Sequence, residues 1–99
     1  MIDVTYRKAD ANQAAIVAAL RQVGASVVDT SAVGIAGFPD LVVGFRRSTF
    51  LLEVKNPTTR YGRAGLNANQ RAALAVWNGA PPIVVRDMDE ALRAIGVAV

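Results

Sequence analysis

The stretch FPDLVVGFRRSTFLLEVKNP, residues 38–57, holds two apolar runs, PDLVVGF and TFLLEVK, on either side of a polar RRS. Runs of this length, rich in Val, Leu and Phe and bounded by Pro and polar residues, predict two consecutive strands over 39–45 and 49–55. They form an antiparallel hairpin expected to be buried on both faces. Outside the Arg46-Arg47 turn its charges are few: Asp40 at the head of the first strand, Glu53 and Lys55 at the tail of the second. Side chains alternate along a strand, so Glu53 and Lys55 share a face, about 6.6 Å apart along the chain, with Val54 opposite. The turn decides whether Asp40 joins them. A two-residue Arg46-Arg47 turn pairs Phe45 with Ser48 and sets Asp40 directly across from Glu53. A three-residue turn sets Asp40 across from Val54, on the other face, unless a bulge restores the phase.

Around the hairpin, Ile16, Val17, Leu20 and Val23 recur at helical spacing, predicting a helix over 11–23 with Asp10 as N-cap and Gly24 as the stop. SVVDT (26–30) predicts a short strand, and SAVGIAGF a small-residue loop. NPTTRYGRAGL (56–66) has no periodicity and reads as a long loop. Asn67 caps a helix to about Asn78, with Ala73, Leu74, Val76 and Trp77 inside, Trp77 in the core and Gly79 at the end. PPIVVR (81–86) gives a strand with its prolines at the start. Asp87 caps a last helix to about Ile95, with Met88, Leu92 and Ile95 on one face. The order αβββαβα predicts a single α/β domain over residues 1–99, a mixed four-stranded sheet flanked by helices.

Composition narrows the chemistry. The chain has no Cys and no His, which removes disulfides, thiolate nucleophiles, Cys-ligated zinc and the commonest general base. Any metal must be held by oxygen, which points to hard ions such as Mg²⁺. The net charge is +3, and nine of the eleven cations are Arg, whose planar fork matches phosphate. This balance permits nucleic-acid binding without requiring it. No apolar run is long enough for a membrane span, and the start IDVTYRKAD has no secretory pattern, so the expected location is the cytoplasm.

Two carboxylates side by side repel unless a cation sits between them, and Lys55 can neutralise only one. An oxygen-ligated metal beside a lysine suits phosphodiester hydrolysis: the metal activates water and the ammonium offsets charge on the phosphate. The bland alternative makes Asp40 part of a turn after Pro39, and Glu53 and Lys55 a solvated strand end.

The combination of GFPDLVVGF, LLEVK and the downstream LNANQ resembles the VRR-NUC domain family of the PD-(D/E)XK nuclease superfamily, over residues 10 to about 95. That resemblance implies a restriction-endonuclease-like core and Mg²⁺- or Mn²⁺-dependent endonucleolytic cleavage of DNA, selective for branched or flapped structures such as Holliday junctions. It matches Asp40 and Glu53 to the metal-binding acids and Lys55 to the catalytic lysine. It also matches the Val54 carbonyl to a backbone metal ligand and Gln70 to the family's helix glutamine. Its small members come from phages and bacteria, and paired incisions fit a homodimer. One departure stands out: the family commonly has a glutamate on the first helix, where this chain offers only Asn12 and Gln13. The alternative is therefore a catalytically degenerate module that binds nucleic acid or a protein partner, and a partner could also supply specificity.

Several of these residues have a second reading. Asp10 with Gln13, Asn67 with Gln70 and Asp87 with Glu90 each form a capping-box pattern. Gln13 is thus a cap or a support for the metal site, Gln70 a cap, a site residue or both, and Glu90 a cap. Arg60, Tyr61 and Arg63 in the loop after Lys55 suit phosphate contact and base stacking, or a solvated surface. Arg46 and Arg47 form a solubilising hairpin tip.

Overall fold

The structure is a computed structural model that describes residues 4–58 and 65–99. Helix α1 spans Val4–Gln22, followed by strand β1, Ser26–Asp29, a 3₁₀ turn at Ser31–Val33, and strands β2, Leu41–Phe45, and β3, Ser48–Val54. Helix α2, Ala68–Ala75, strand β4, Ile83–Val85, and helix α3, Met88–Ala94, complete the chain. The sheet order is β1-β2-β3-β4, with β1, β2 and β3 antiparallel and β4 parallel to β3. A parallel neighbour needs a crossover, and the segment carrying α2 provides it. This is the mixed α/β sheet flanked by helices that the element order predicts, consistent with the restriction-endonuclease-like core that the resemblance implies.

The hairpin turn is even. Phe45 pairs with Ser48 and Leu41 with Leu52, so Asp40, one residue before β2, falls across from Glu53. Arg46 and Arg47 both have positive φ, 48° and 70°, the backbone of the two-residue turn whose twist matches a hairpin. The Arg46 guanidinium lies 4.8 Å from the centre of the Phe45 ring.

One face of the sheet carries the core. Leu41, Val43, Leu52 and Val85 are fully buried against Ile16 and Leu20 of α1 and Ala91 and Ile95 of α3. The hairpin is not buried on both faces throughout: Val42 and Leu51, on the opposite side, are half-buried, and only at Leu52–Glu53 do both faces close. The second face is covered by α2, which has no buried residue of its own.

Helix ends follow local chemistry, with two corrections. At the C-terminus of α1, Gly24 (φ 94°) gives its N–H to the Arg21 carbonyl and Ala25 gives its own to that of Leu20, the paired bonds of a Schellman stop. Asp10, by contrast, is not an N-cap: α1 begins at Val4 and runs through it. VTYRKADA contains neither Gly nor Pro, so nothing stops the helix from extending past the residue with cap chemistry. Helix α2 ends at Ala75, leaving Trp77 outside it and 47% exposed rather than in the core. There its indole N–H donates to the Ala80 carbonyl at 3.0 Å, a partner that a buried position in an apolar helix face would not offer.

Candidate active site

The chain positions Asp40 from two sides. Thr30 N–H donates to the Asp40 carbonyl at 2.8 Å, and the Thr30 hydroxyl donates to the Pro39 carbonyl at 2.5 Å. Asp40 Oδ2 accepts the Val54 N–H at 2.8 Å, so its carboxyl is held at the end of β3 rather than in open solvent. It is hydrogen-bonded to the Glu53 carboxyl as well.

Glu53 and Lys55 are 4% and 6% exposed, which disposes of the solvated strand-end reading. Charges are almost never buried unless paired. The partner here is Gln70, on the first turn of α2. Its amide NH₂ donates to Glu53 Oε1, while its Oε1 accepts the Lys55 ammonium at 3.0 Å and the Asn67 N–H at 2.9 Å. Asn67 returns a bond from its own side chain to the Gln70 N–H, completing a capping box. Gln70 therefore caps α2 and joins the two buried ionisable side chains at once. Lys55 Nζ lies 3.8 Å from Glu53 Oε1.

Burial pushes the Glu53 carboxyl up, and the Asp40 carboxyl beside it adds to the effect; Lys55 and Gln70 act the other way. The balance leaves it at about 8, so at neutral pH Glu53 keeps a proton as long as no further cation is present. Behind it is a small apolar cavity between α2 and the sheet, lined by Leu51, Ala73, Leu74 and Trp77.

The donor chemistry fits a hard divalent ion. Asp40 and Glu53 offer adjacent carboxylates, and Val54 a backbone carbonyl, all oxygen donors that Mg²⁺ or Mn²⁺ accepts. Among the described residues no group of three or more Asp, Glu, His or Cys converges, so an ion held here would keep several waters. Gln13 does not cap and is turned to another task. Its amide donates to Asp29 Oδ2 at 3.0 Å and to Ser31 Oγ at 3.2 Å, because the intended cap, Asp10, is interior to α1. Asn12 reaches the Arg86 carbonyl at 3.3 Å.

Asp29 is a residue that the sequence reading passed over. Its carboxylate accepts the Ser31 hydroxyl at 2.5 Å and the Ser31 N–H at 3.0 Å, and the Ser31 bonds, with Gln13 and Arg21, hold it below the usual carboxylate range. The Asp-x-Ser spacing is an Asx-turn signature and could have found it. Glu90 also departs from its pattern. Asp87 caps α3 by accepting the Glu90 N–H at 2.8 Å, but Glu90 takes the Arg86 N–H at 2.9 Å rather than that of the cap. Arg60, Tyr61 and Arg63 lie outside the described residues.

Neither protein-family models nor curated proteins give a match to this sequence. Among solved structures, the fold is similar to one described as "VRR_NUC domain", with a TM-score of 0.58 and 22% identity. The match covers 87% of this chain and 91% of that one. At that identity the likeness is one of fold, and it agrees with the architecture that the hairpin and its motifs imply. No helix among the described residues is long and apolar enough to cross a membrane.

Proposed function

We propose that this chain is a divalent-metal-dependent deoxyribonuclease that hydrolyses phosphodiester bonds, with Asp40, Glu53, Lys55 and Gln70 as its working residues. The observation that carries the reading is the convergence of these four side chains, from two strands and a helix, in one hydrogen-bonded network. A fold shared with a VRR_NUC domain supports it.

In this reading Asp40 and Glu53 hold Mg²⁺ or Mn²⁺, with the Val54 carbonyl as a third donor. Such an ion, when bound, lowers the pKa of a coordinated water and offsets charge on the phosphate. The protein's own part is positioning. The Val54 N–H fixes one oxygen of Asp40, and Gln70 fixes one oxygen of Glu53. Lys55 supplies a buried ammonium, held by the Gln70 carbonyl oxygen, whose charge stabilises the phosphorane-like transition state more strongly than it would in water. DNA is the proposed polymer, contacted by Arg60, Tyr61 and Arg63 in the segment after Lys55, with branched or flapped forms preferred. A homodimer would allow paired cuts, and a protein partner could direct the choice of substrate.

The competing reading, a nuclease-fold module that binds without cutting, is favoured by one observation: Gln13, the nearest counterpart of a first-helix acid, gives its amide to Asp29 and Ser31. The deciding experiment incubates the protein with linear, flapped and four-way-junction DNA and Mn²⁺, beside Asp40→Ala and Lys55→Ala. The expected result is cleavage by the wild type and a loss of about 10²-fold or more in each variant. Uncut DNA in every arm, with binding retained, would establish the module instead.

A further inference from the structure

We infer that Pro39 is a positioning residue for the candidate site: by withholding a backbone donor, it leaves the Val54 carbonyl open to the cation that Asp40 and Glu53 would hold. The inference rests on the metal-dependent reading above.

The hairpin ladder carries the inference. The residues flanking a two-residue turn exchange both backbone hydrogen bonds, and such pairs recur at every second position. Counting from Phe45 and Ser48, they fall at Val43 with Phe50 and at Leu41 with Leu52. One further step sets Pro39 against Val54. An ordinary residue at 39 would give its N–H to the Val54 carbonyl and accept the Val54 N–H on its own carbonyl. Proline has no N–H to give. Its carbonyl accepts the Thr30 hydroxyl at 2.5 Å, and the Val54 N–H goes to Asp40 Oδ2 at 2.8 Å.

The other edge of β3 fixes where the Val54 carbonyl points. Lys55 N–H donates to the Val85 carbonyl at 3.0 Å, so the backbone groups of Lys55 face β4 and those of Val54 face β2. The Val54 carbonyl therefore looks toward the same gap as its N–H, where the Asp40 carboxyl sits. Two oxygens from neighbouring residues on opposite strands converge there, and proline is the one residue type that adds no competing donor.

The test restores the donor. Pro39→Ala and Pro39→Val both place an N–H at the ladder position, the second with more of the buried volume kept. Binding of Mn²⁺ to the full chain is followed by thermal shift and calorimetric titration, and exchange of the new amide at position 39 by NMR with and without Mg²⁺. Both variants are expected to bind Mn²⁺ about tenfold more weakly, the cost of breaking one net hydrogen bond. The new amide should be protected from exchange without metal and lose protection with it. Ile35→Ala, an exposed change in the same loop that adds no donor at the ladder position, should bind Mn²⁺ as the wild type does. Wild-type affinity in the Pro39 variants, an equal loss in Ile35→Ala, or an unprotected amide would overturn the inference while leaving the metal reading intact. A wild type that takes up no Mn²⁺ would sink the metal reading and this role of Pro39 with it.

Discussion

The Cβ that Gly37 lacks would lie 2.3 Å from the backbone carbonyl oxygen of Asn69. Loop and helix are in contact there with no room for a side chain, and the next residue along α2 is Gln70. Gly37→Ala must push α2 outward, and with φ at +78° it adds backbone strain. Gly34 has nearly the same φ, +80°, with nothing within 4 Å of the missing Cβ. Gly34→Ala should therefore cost only the strain, about 1 kcal/mol, and Gly37→Ala about 1–3 kcal/mol more from the displaced helix. Urea unfolding of the two variants measures the difference. Equal losses would mean that α2 is not seated on Gly37.

The protonated state of Glu53 makes stability depend on pH. Its carboxyl sits at about 8 when folded, against an ordinary 4.5, so the folded chain holds more protons between those values. Stability contributed by this group is complete below pH 4.5 and falls as pH rises toward 8, by at most about 1.4 kcal/mol per unit. Unfolding midpoints in EDTA at pH 5.5, 7 and 8.5 should decline for the wild type more steeply than for Glu53→Gln. Mn²⁺ should flatten the wild-type decline, since a cation favours the ionised carboxylate. Parallel profiles for the wild type and Glu53→Gln would contradict this assignment.

At the hairpin tip, Arg46 and Arg47 hold backbone conformations that Asn and Gly adopt with less strain. Replacing the pair by Asn-Gly should relieve about 1–2 kcal/mol and forfeit about 0.5–1 kcal/mol of the Arg46–Phe45 contact. A net gain near 1 kcal/mol would raise the melting temperature by about 5 °C in a chain of this size. A lower melting temperature would show that the arginines stabilise the turn in some other way.

The fold was legible because the hairpin's apolar runs, the Gly24 stop and the Asn67 and Asp87 caps are local signals. Turn parity was the point left open, since Arg-Arg carries none of the Asn-Gly signature that would have fixed it. Within the site, Gln70 was readable as a cap from its three-residue spacing. Its bonds to Glu53 and Lys55 span 17 and 15 residues and exist only because the crossover lays α2 over the sheet. Gln13 failed for the same reason in reverse: its local pattern pointed to Asp10, and its partner is Asp29, 16 residues on. Trp77 misled because hydrophobicity alone does not say that a helix will stop two residues earlier.

Helix α2 hides two ionisable side chains better than it hides itself: Glu53 and Lys55 are nearly inaccessible, yet none of Ala68–Ala75 is buried. Its attachment over the site relies on the polar bonds of Gln70 to Glu53 and Lys55 more than on apolar surface removed from water. In a ranking of local openings, such an element detaches at a free energy well below that of global unfolding. Water would then reach Glu53 and Lys55 while α1, α3 and the face of Leu41, Val43 and Leu52 stay closed.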